Sequence, residues 1–137
     1  MEKLIKELTE SWQIESTKQT PAIHFDGDNQ LIVFKGEMYP ENITEFSEPI
    51  FSWLEKYLEQ PTNLTLTVNI ELNYFNSSSS KLLLDLFDKL EEAVINGNRN
   101  IMVNWIYDSD NEYAQEYGEE FQEDLEYLPF HLVSKNI

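Results

Sequence analysis

Apolar positions along the chain follow two periods, and the switches between them outline the elements. Ala22-Ile23-His24-Phe25 and Leu31-Ile32-Val33-Phe34 flank Asp26-Gly27-Asp28-Asn29. That is the pattern of a β-hairpin, with the glycine supplying the positive φ of a tight reversal. After Pro40 the spacing turns helical. Ile43, Phe46, Ile50, Trp53 or Leu54, and Tyr57 predict an amphipathic helix over residues 42–59, ended by Pro61. Next, Leu64, Leu66, Val68, Ile70, Leu72 and Tyr74 alternate with polar residues, which predicts a strand with that set facing the core.

Asn76-Ser77-Ser78-Ser79-Ser80 interrupts the pattern before Leu83, Leu86, Phe87, Leu90 and Val94 resume a helical stripe, stopped near Asn96-Gly97-Asn98. Ile101, Val103, Trp105 and Tyr107 predict another strand, residues 108–126 a third helix with an acidic outer face, and residues 129–133 a closing strand. Residues 3–10 fit a short amphipathic helix, and residues 12–17 fit extended chain. The order is hairpin, helix, strand, helix, strand, helix, strand. It predicts an α/β domain with a mostly parallel or mixed central sheet and helices packed against it. No internal repeat or long linker divides the chain.

Composition narrows the function. At 137 residues the chain has the length of one domain, and 18 aromatic residues with only 4 Gly and 5 Pro argue for a packed core. There is no cysteine, hence no disulfide, thiol nucleophile or zinc–thiolate site. No apolar run has the length of a membrane span, and the opening residues lack a signal-peptide pattern, so the expected compartment is the cytoplasm. The formal charge is −17, a field that repels phosphate backbones and anionic lipid and predicts no direct nucleic-acid or membrane binding. From Asn100 to Ser134 there is no Lys or Arg. That stretch is either a solvated acidic face or a docking surface for a basic partner.

The serine run is the segment with unusual local chemistry. One reading is capping, in which a serine at the helix start satisfies an otherwise unpaired backbone N–H. The other is a phosphate-related function, since a phosphate at a helix start meets free N–H donors and the positive end of the dipole, with Lys81 nearby. A serine nucleophile in the 77–80 turn would need a base. His131 is the more plausible base of the two histidines, but nothing in the sequence places it near Ser77, no glycine lies between Gly36 and Gly97 to build a nucleophile elbow, and a partly buried strand histidine is the simpler account. His24 and His131 are isolated, which argues against a metal site. Asp108-Ser109-Asp110-Asn111-Glu112 resembles a calcium loop, but Tyr113 stands at the position that wants Gly, although Glu119 fits the twelfth. The aromatics fall mostly on the core faces, and no cofactor motif is present.

Leu72-Asn73-Tyr74-Phe75-Asn76-Ser77-Ser78-Ser79-Ser80-Lys81 resembles the signature of the SiaC family of regulatory phosphoproteins. Thr20-Pro21-Ala22-Ile23, Tyr39-Pro40-Glu41-Asn42, Val103-Asn104-Trp105-Ile106-Tyr107-Asp108, Glu119-Glu120-Phe121 and Pro129-Phe130 agree with it in order. The resemblance implies a single STAS-like domain over residues 20–137, similar to anti-sigma-factor antagonists, preceded by an N-terminal segment, 1–19. It implies a non-enzymatic partner switch without cofactor. A Ser/Thr protein kinase phosphorylates the first hydroxyl after the Asn, a PP2C-type phosphatase removes the group, and the unmodified form activates a diguanylate cyclase, influencing cyclic-di-GMP and biofilm formation. By position that hydroxyl is Ser77, with Ser78 as the alternative and Tyr74, Asn76, Ser78, Ser79 and Lys81 around it. A constitutive acidic adaptor, an anti-sigma-factor antagonist and a small serine hydrolase are the competing readings.

Overall fold

The strand with the strongest alternation becomes the centre of a six-stranded sheet. The computed structural model describes residues 11–136, so the helix expected over residues 3–10 lies outside the described residues. The elements in order are β1 (Trp12–Ile14), β2 (Ala22–Asp26), β3 (Leu31–Met38), α1 (Ile43–Glu59), β4 (Leu66–Phe75), α2 (Ser77–Gly97), β5 (Ile101–Asp108), α3 (Glu112–Asp124) and β6 (Phe130–Lys135). The sheet order is β1-β2-β3-β4-β5-β6. The first two pairings are antiparallel and the remaining three parallel.

Three parallel crossovers step in one direction, and the right hand that such connections take puts α1, α2 and α3 on the same face. Burial follows suit: Ile23, Phe25, Ile32, Phe34, Val68, Ile70, Val103 and Trp105 are buried on that face. Their neighbours Val33, Asn69 and Asn104 on the opposite face are only half-buried. Polar ties cross that open face, Asn104 Nδ2 donating to Asn69 Oδ1 at 2.9 Å and Lys135 pairing with Glu71 at 2.7 Å.

Several local expectations are corrected. The left-handed residue of the hairpin is Gln30 (φ 51°), not Gly27, and its amide donates to the carbonyls of Gly27 and Asp28, which holds the turn. Gly97 is the last residue of α2, and Asn98 (φ 52°) takes the left-handed position beyond it. Asparagine tolerates that conformation better than most side chains. The third helix starts at Glu112, because Asp108 and Asn111 organise a turn first: Asp108 Oδ1 accepts from the Asp110 N–H at 3.0 Å and Asn111 Oδ1 caps the helix. Leu64 lies outside β4 and is exposed.

Arg99, the sole arginine of the sequence, is buried where α2 returns to β5. Its Nη1 donates to the carbonyls of Gln60 (2.8 Å) and Leu58 (3.4 Å), and its guanidinium lies over the Tyr57 ring. The cation thus satisfies orphan carbonyls at the end of α1.

Candidate functional site

Strand β4 leaves the sheet through a bulge. Gly36 pairs with Leu72 and Glu37 with Tyr74, so Asn73 has no partner on β3. One extra residue reverses the facing of everything after it. Tyr74, expected in the core from the alternation, is therefore turned outward and 44% exposed, while Phe75 is buried. Across the bulge, Gly36 adopts φ +133°, a conformation L side chains rarely take.

The outward tyrosine is held from several sides. Asn111 Nδ2 donates to the Asn73 carbonyl at 3.0 Å while Asn111 Oδ1 accepts from the Ala114 N–H at 3.1 Å. Tyr113 donates its hydroxyl to the Phe75 carbonyl. Tyr74 stacks on Tyr113, with centroids 5.8 Å apart and planes at 23°, and meets Tyr39 edge-on at 5.7 Å. Tyr113 in turn packs on Tyr117 at 4.9 Å. Burial, and then the neighbouring phenols of Tyr117 and Tyr74, push the Tyr113 hydroxyl above the ordinary tyrosine range, which keeps it a donor. The result is a row of four tyrosines, Tyr39-Tyr74-Tyr113-Tyr117, across the ends of β3 and β4 and the start of α3.

The serines follow at once, and they form the first turn of α2 instead of a turn preceding it. Capping is done by Asn76, not by a serine. Asn76 Oδ1 accepts from the Ser79 N–H at 3.0 Å, its carbonyl accepts from the Ser80 N–H at 2.9 Å, and its own N–H donates to the Met38 carbonyl at 3.3 Å. Asparagine caps a helix as well as serine does, and its placement here frees the hydroxyls of the first turn. Ser77 and Ser78 are exposed, whereas Ser79 is fully buried, its hydroxyl without a hydrogen-bond partner among the described residues. Ser80 Oγ donates to the Ser77 carbonyl at 2.7 Å. Lys81 is exposed and, with Ser78, Ile43, Ser47 and Phe51, lines a cleft of about 190 Å³ between α1 and α2. The first turn of α2 carries no acidic residue.

The structure thus brings Tyr74, Asn76, Ser77, Ser78 and Lys81 to one edge and withdraws Ser79 into the core. His131 is exposed on β6 opposite Asn104, not partly buried, and no hydrogen bond joins it to a serine among the described residues. Among the described residues no group of three His, Asp or Glu stands close enough to hold a metal ion, and no helix is long and apolar enough to cross a membrane. Residue patterns missed Tyr39, Tyr113 and Tyr117, which converge only through the fold. One signal was available: adjacent aromatics at Tyr74-Phe75 cannot both face the core of a regular strand, so one of them must turn away.

An α/β domain that presents free hydroxyls on a helix start, beside the exposed Tyr74 and Tyr113 with half-buried Tyr39 and Tyr117 behind them, is built as a regulatory binding module. Comparison with known proteins gives the family. The profile of the SiaC family regulatory phosphoproteins matches residues 14–135, and the chain belongs to that family. A protein of Pseudomonas aeruginosa strain UCBPP-PA14 is 38% identical over 117 residues, covering 85% of this chain and 90% of its own. The fold is similar to that of SiaC of Pseudomonas aeruginosa, with a TM-score of 0.82 and 33% identity over 92% of this chain and 99% of that one. It is equally similar to a chain in the crystal structure of the diguanylate cyclase SiaD in complex with its activator SiaC. There the TM-score is 0.83 at 35% identity, over 90% of this chain and 99% of the other. The chain is thus a regulatory protein and not an enzyme.

Proposed function

We propose that this protein is a phosphorylation-controlled partner switch acting in the cytoplasm, whose unmodified form binds and activates a diguanylate cyclase related to SiaD. In this reading Ser77 is the acceptor hydroxyl, a Ser/Thr protein kinase installs the phosphate and a PP2C-type phosphatase removes it. The observation that carries the reading is the exposed Ser77 hydroxyl on the first turn of α2, directly after the asparagine that caps it. Family membership and the similarity to a cyclase activator support the choice of partner.

The geometry supports a switch that leaves the fold intact. A phosphate adds about −1.5 to −2 charge at neutral pH. At Ser77 it meets the positive end of the α2 dipole and the unused N–H groups of the first turn, with no carboxylate in that turn to oppose it. The cap on Asn76 is unaffected, since Ser77 Oγ takes no part in it. Across an interface the same dianion must be desolvated, and burying an unpaired charge costs several kcal/mol. Each ~1.4 kcal/mol lowers affinity tenfold, so release requires no rearrangement of the domain.

Ser78 is the second candidate, favoured by its own exposure and by its place beside Lys81 in the α1–α2 cleft. Intact-mass analysis after treatment with the kinase, followed by localisation of the phosphate, distinguishes the two. Ser77→Ala is expected to bind and activate the cyclase and to resist switching, and Ser77→Glu to bind more weakly. Wild-type affinity in Ser77→Glu, with phosphate localised to Ser78, would refute the assignment to Ser77.

A further inference from the structure

We infer that the row Tyr39-Tyr74-Tyr113-Tyr117 is the platform on which the partner docks, and that the docking segment carries apolar side chains edged by arginine or lysine. The inference rests on the partner-switch reading and extends it from the modified hydroxyl to the surface that does the binding. Its starting point is the bulge. A strand that simply continued would bury Tyr74; instead Asn73 breaks the register, Gly36 takes a φ open mainly to glycine, and Asn111 and Tyr113 tie down the displaced backbone. Bulges of this kind re-aim side chains next to functional sites. Here the result is large aromatic surface in water, with Tyr74 44% and Tyr113 36% exposed. Tyrosines already stacked on one another lose little freedom when covered, and such residues dominate the energetics of protein interfaces. The row lies at the carboxyl ends of the parallel strands, the edge where open α/β sheets receive ligands.

Charge identifies the chemistry of the occupant. Glu37 stands opposite Tyr74 in the register, Glu112 and Glu116 adjoin Tyr113 and Tyr117 on α3, and Asp108 and Asp110 lead into that helix. No Lys or Arg occurs between Asn100 and Ser134, and Lys135, which stands opposite Asp108 in the β5–β6 register, is already paired with Glu71. A carboxylate-bearing partner would meet uncompensated repulsion. A guanidinium or ammonium can pair with the rim and also lie over a tyrosine face. A phosphate at Ser77, three residues from Tyr74, would have to be desolvated at the edge of this seam, where its bulk and charge oppose close docking.

Titration calorimetry of the full chain against the SiaD-related cyclase of its source organism tests the inference. Tyr74→Ala should weaken binding about thirtyfold or more, as expected of an interface anchor, while Tyr74→Phe stays within about threefold of wild type. Tyr74→Ala loses its ring contacts with Tyr39 and Tyr113 and should melt somewhat below wild type, but in one cooperative transition well above the calorimetry temperature, showing that the lost affinity is not lost folding. Raising salt from about 50 to about 300 mM should weaken the wild-type complex. Tyr74→Ala binding like wild type, or affinity that rises with salt, overturns the platform. If Ser77→Glu weakens binding while Tyr74→Ala does not, the platform fails and the switch stands. The reverse pattern overturns Ser77 as the switch and keeps the platform, and no binding by wild type overturns both.

Discussion

Replacing Gly118 by alanine sets two effects against each other, and the structure says which prevails. In an exposed helix the change would stabilise, since glycine costs about 1 kcal/mol relative to alanine. Gly118, however, is where α3 presses onto the sheet. A Cβ there would lie 2.5 Å from Trp105 Cδ1, 2.7 Å from Trp105 Nε1 and 2.8 Å from Leu132 Cδ2, far inside the ordinary carbon contact of about 3.5–4.0 Å. The indole cannot yield cheaply. Trp105 is buried, its Nε1 donates to the Ala114 carbonyl at 2.8 Å, and Phe75, Phe121 and Phe130 pack around its ring. Forcing extra volume into such a core costs about 1–3 kcal/mol, and displacing a buried donor from its acceptor costs about 1–3 kcal/mol more. After subtracting the gain in helix propensity, the expected destabilisation is about 3 kcal/mol, a drop in melting temperature on the order of 10 °C. Urea unfolding followed by far-ultraviolet circular dichroism should show a lower midpoint with an unchanged slope, and tryptophan emission should report the disturbed indole. A Gly118→Ala protein as stable as wild type, or more so, would refute this packing.

The remaining predictions concern the cap and the acidic face. Asn76→Ala removes the acceptor for the Ser79 N–H and should destabilise the protein by about 1 kcal/mol in urea unfolding, whereas Ser77→Ala should cost far less because Asn76, not Ser77, does the capping. Burial first, and then the neighbouring carboxylates Asp85, Glu91 and Asp124, hold the Asp88 carboxyl above its ordinary range. A raised carboxyl binds its proton more readily in the folded state, so its unfavourable contribution is full at neutral pH and fades as pH falls through the raised value. Asp88→Asn should therefore melt above wild type at neutral pH, with the difference shrinking toward about pH 4. A difference that widens on acidification would contradict that sign.

Much of the fold was legible because its strongest signals are periodic. The alternation of Leu66, Val68, Ile70 and Leu72 locates β4, and the stripes through Ile50, Leu54 and Tyr57 and through Leu83, Leu86, Phe87 and Leu90 locate the first two helices. What escaped depends on single residues acting against the usual weighting. Turn preference points to Gly27 and Gly97, yet Gln30 and Asn98 take the left-handed conformations because side-chain and cap hydrogen bonds hold them there. The serine run draws the cap toward itself, although the asparagine before it has the right geometry. The exposed Ser77 was legible at the candidate site, while the tyrosine row was not. Tyr39, Tyr74 and Tyr113 share no sequence spacing and meet only because a bulge and an α3 cap converge on one edge.

The strand order also bears on how the chain is synthesised. Each strand pairs with the one made just before it, so a ribosome delivering the polypeptide from its amino end always finds a finished border ready for the next piece. No early strand has to wait for a late one to be inserted beside it. Of the two edges of the described sheet, β1 and β6, the later-made is β6, half-exposed and ending in Lys135, whose ammonium reaches back to Glu71 and fastens that strand to the centre of the sheet.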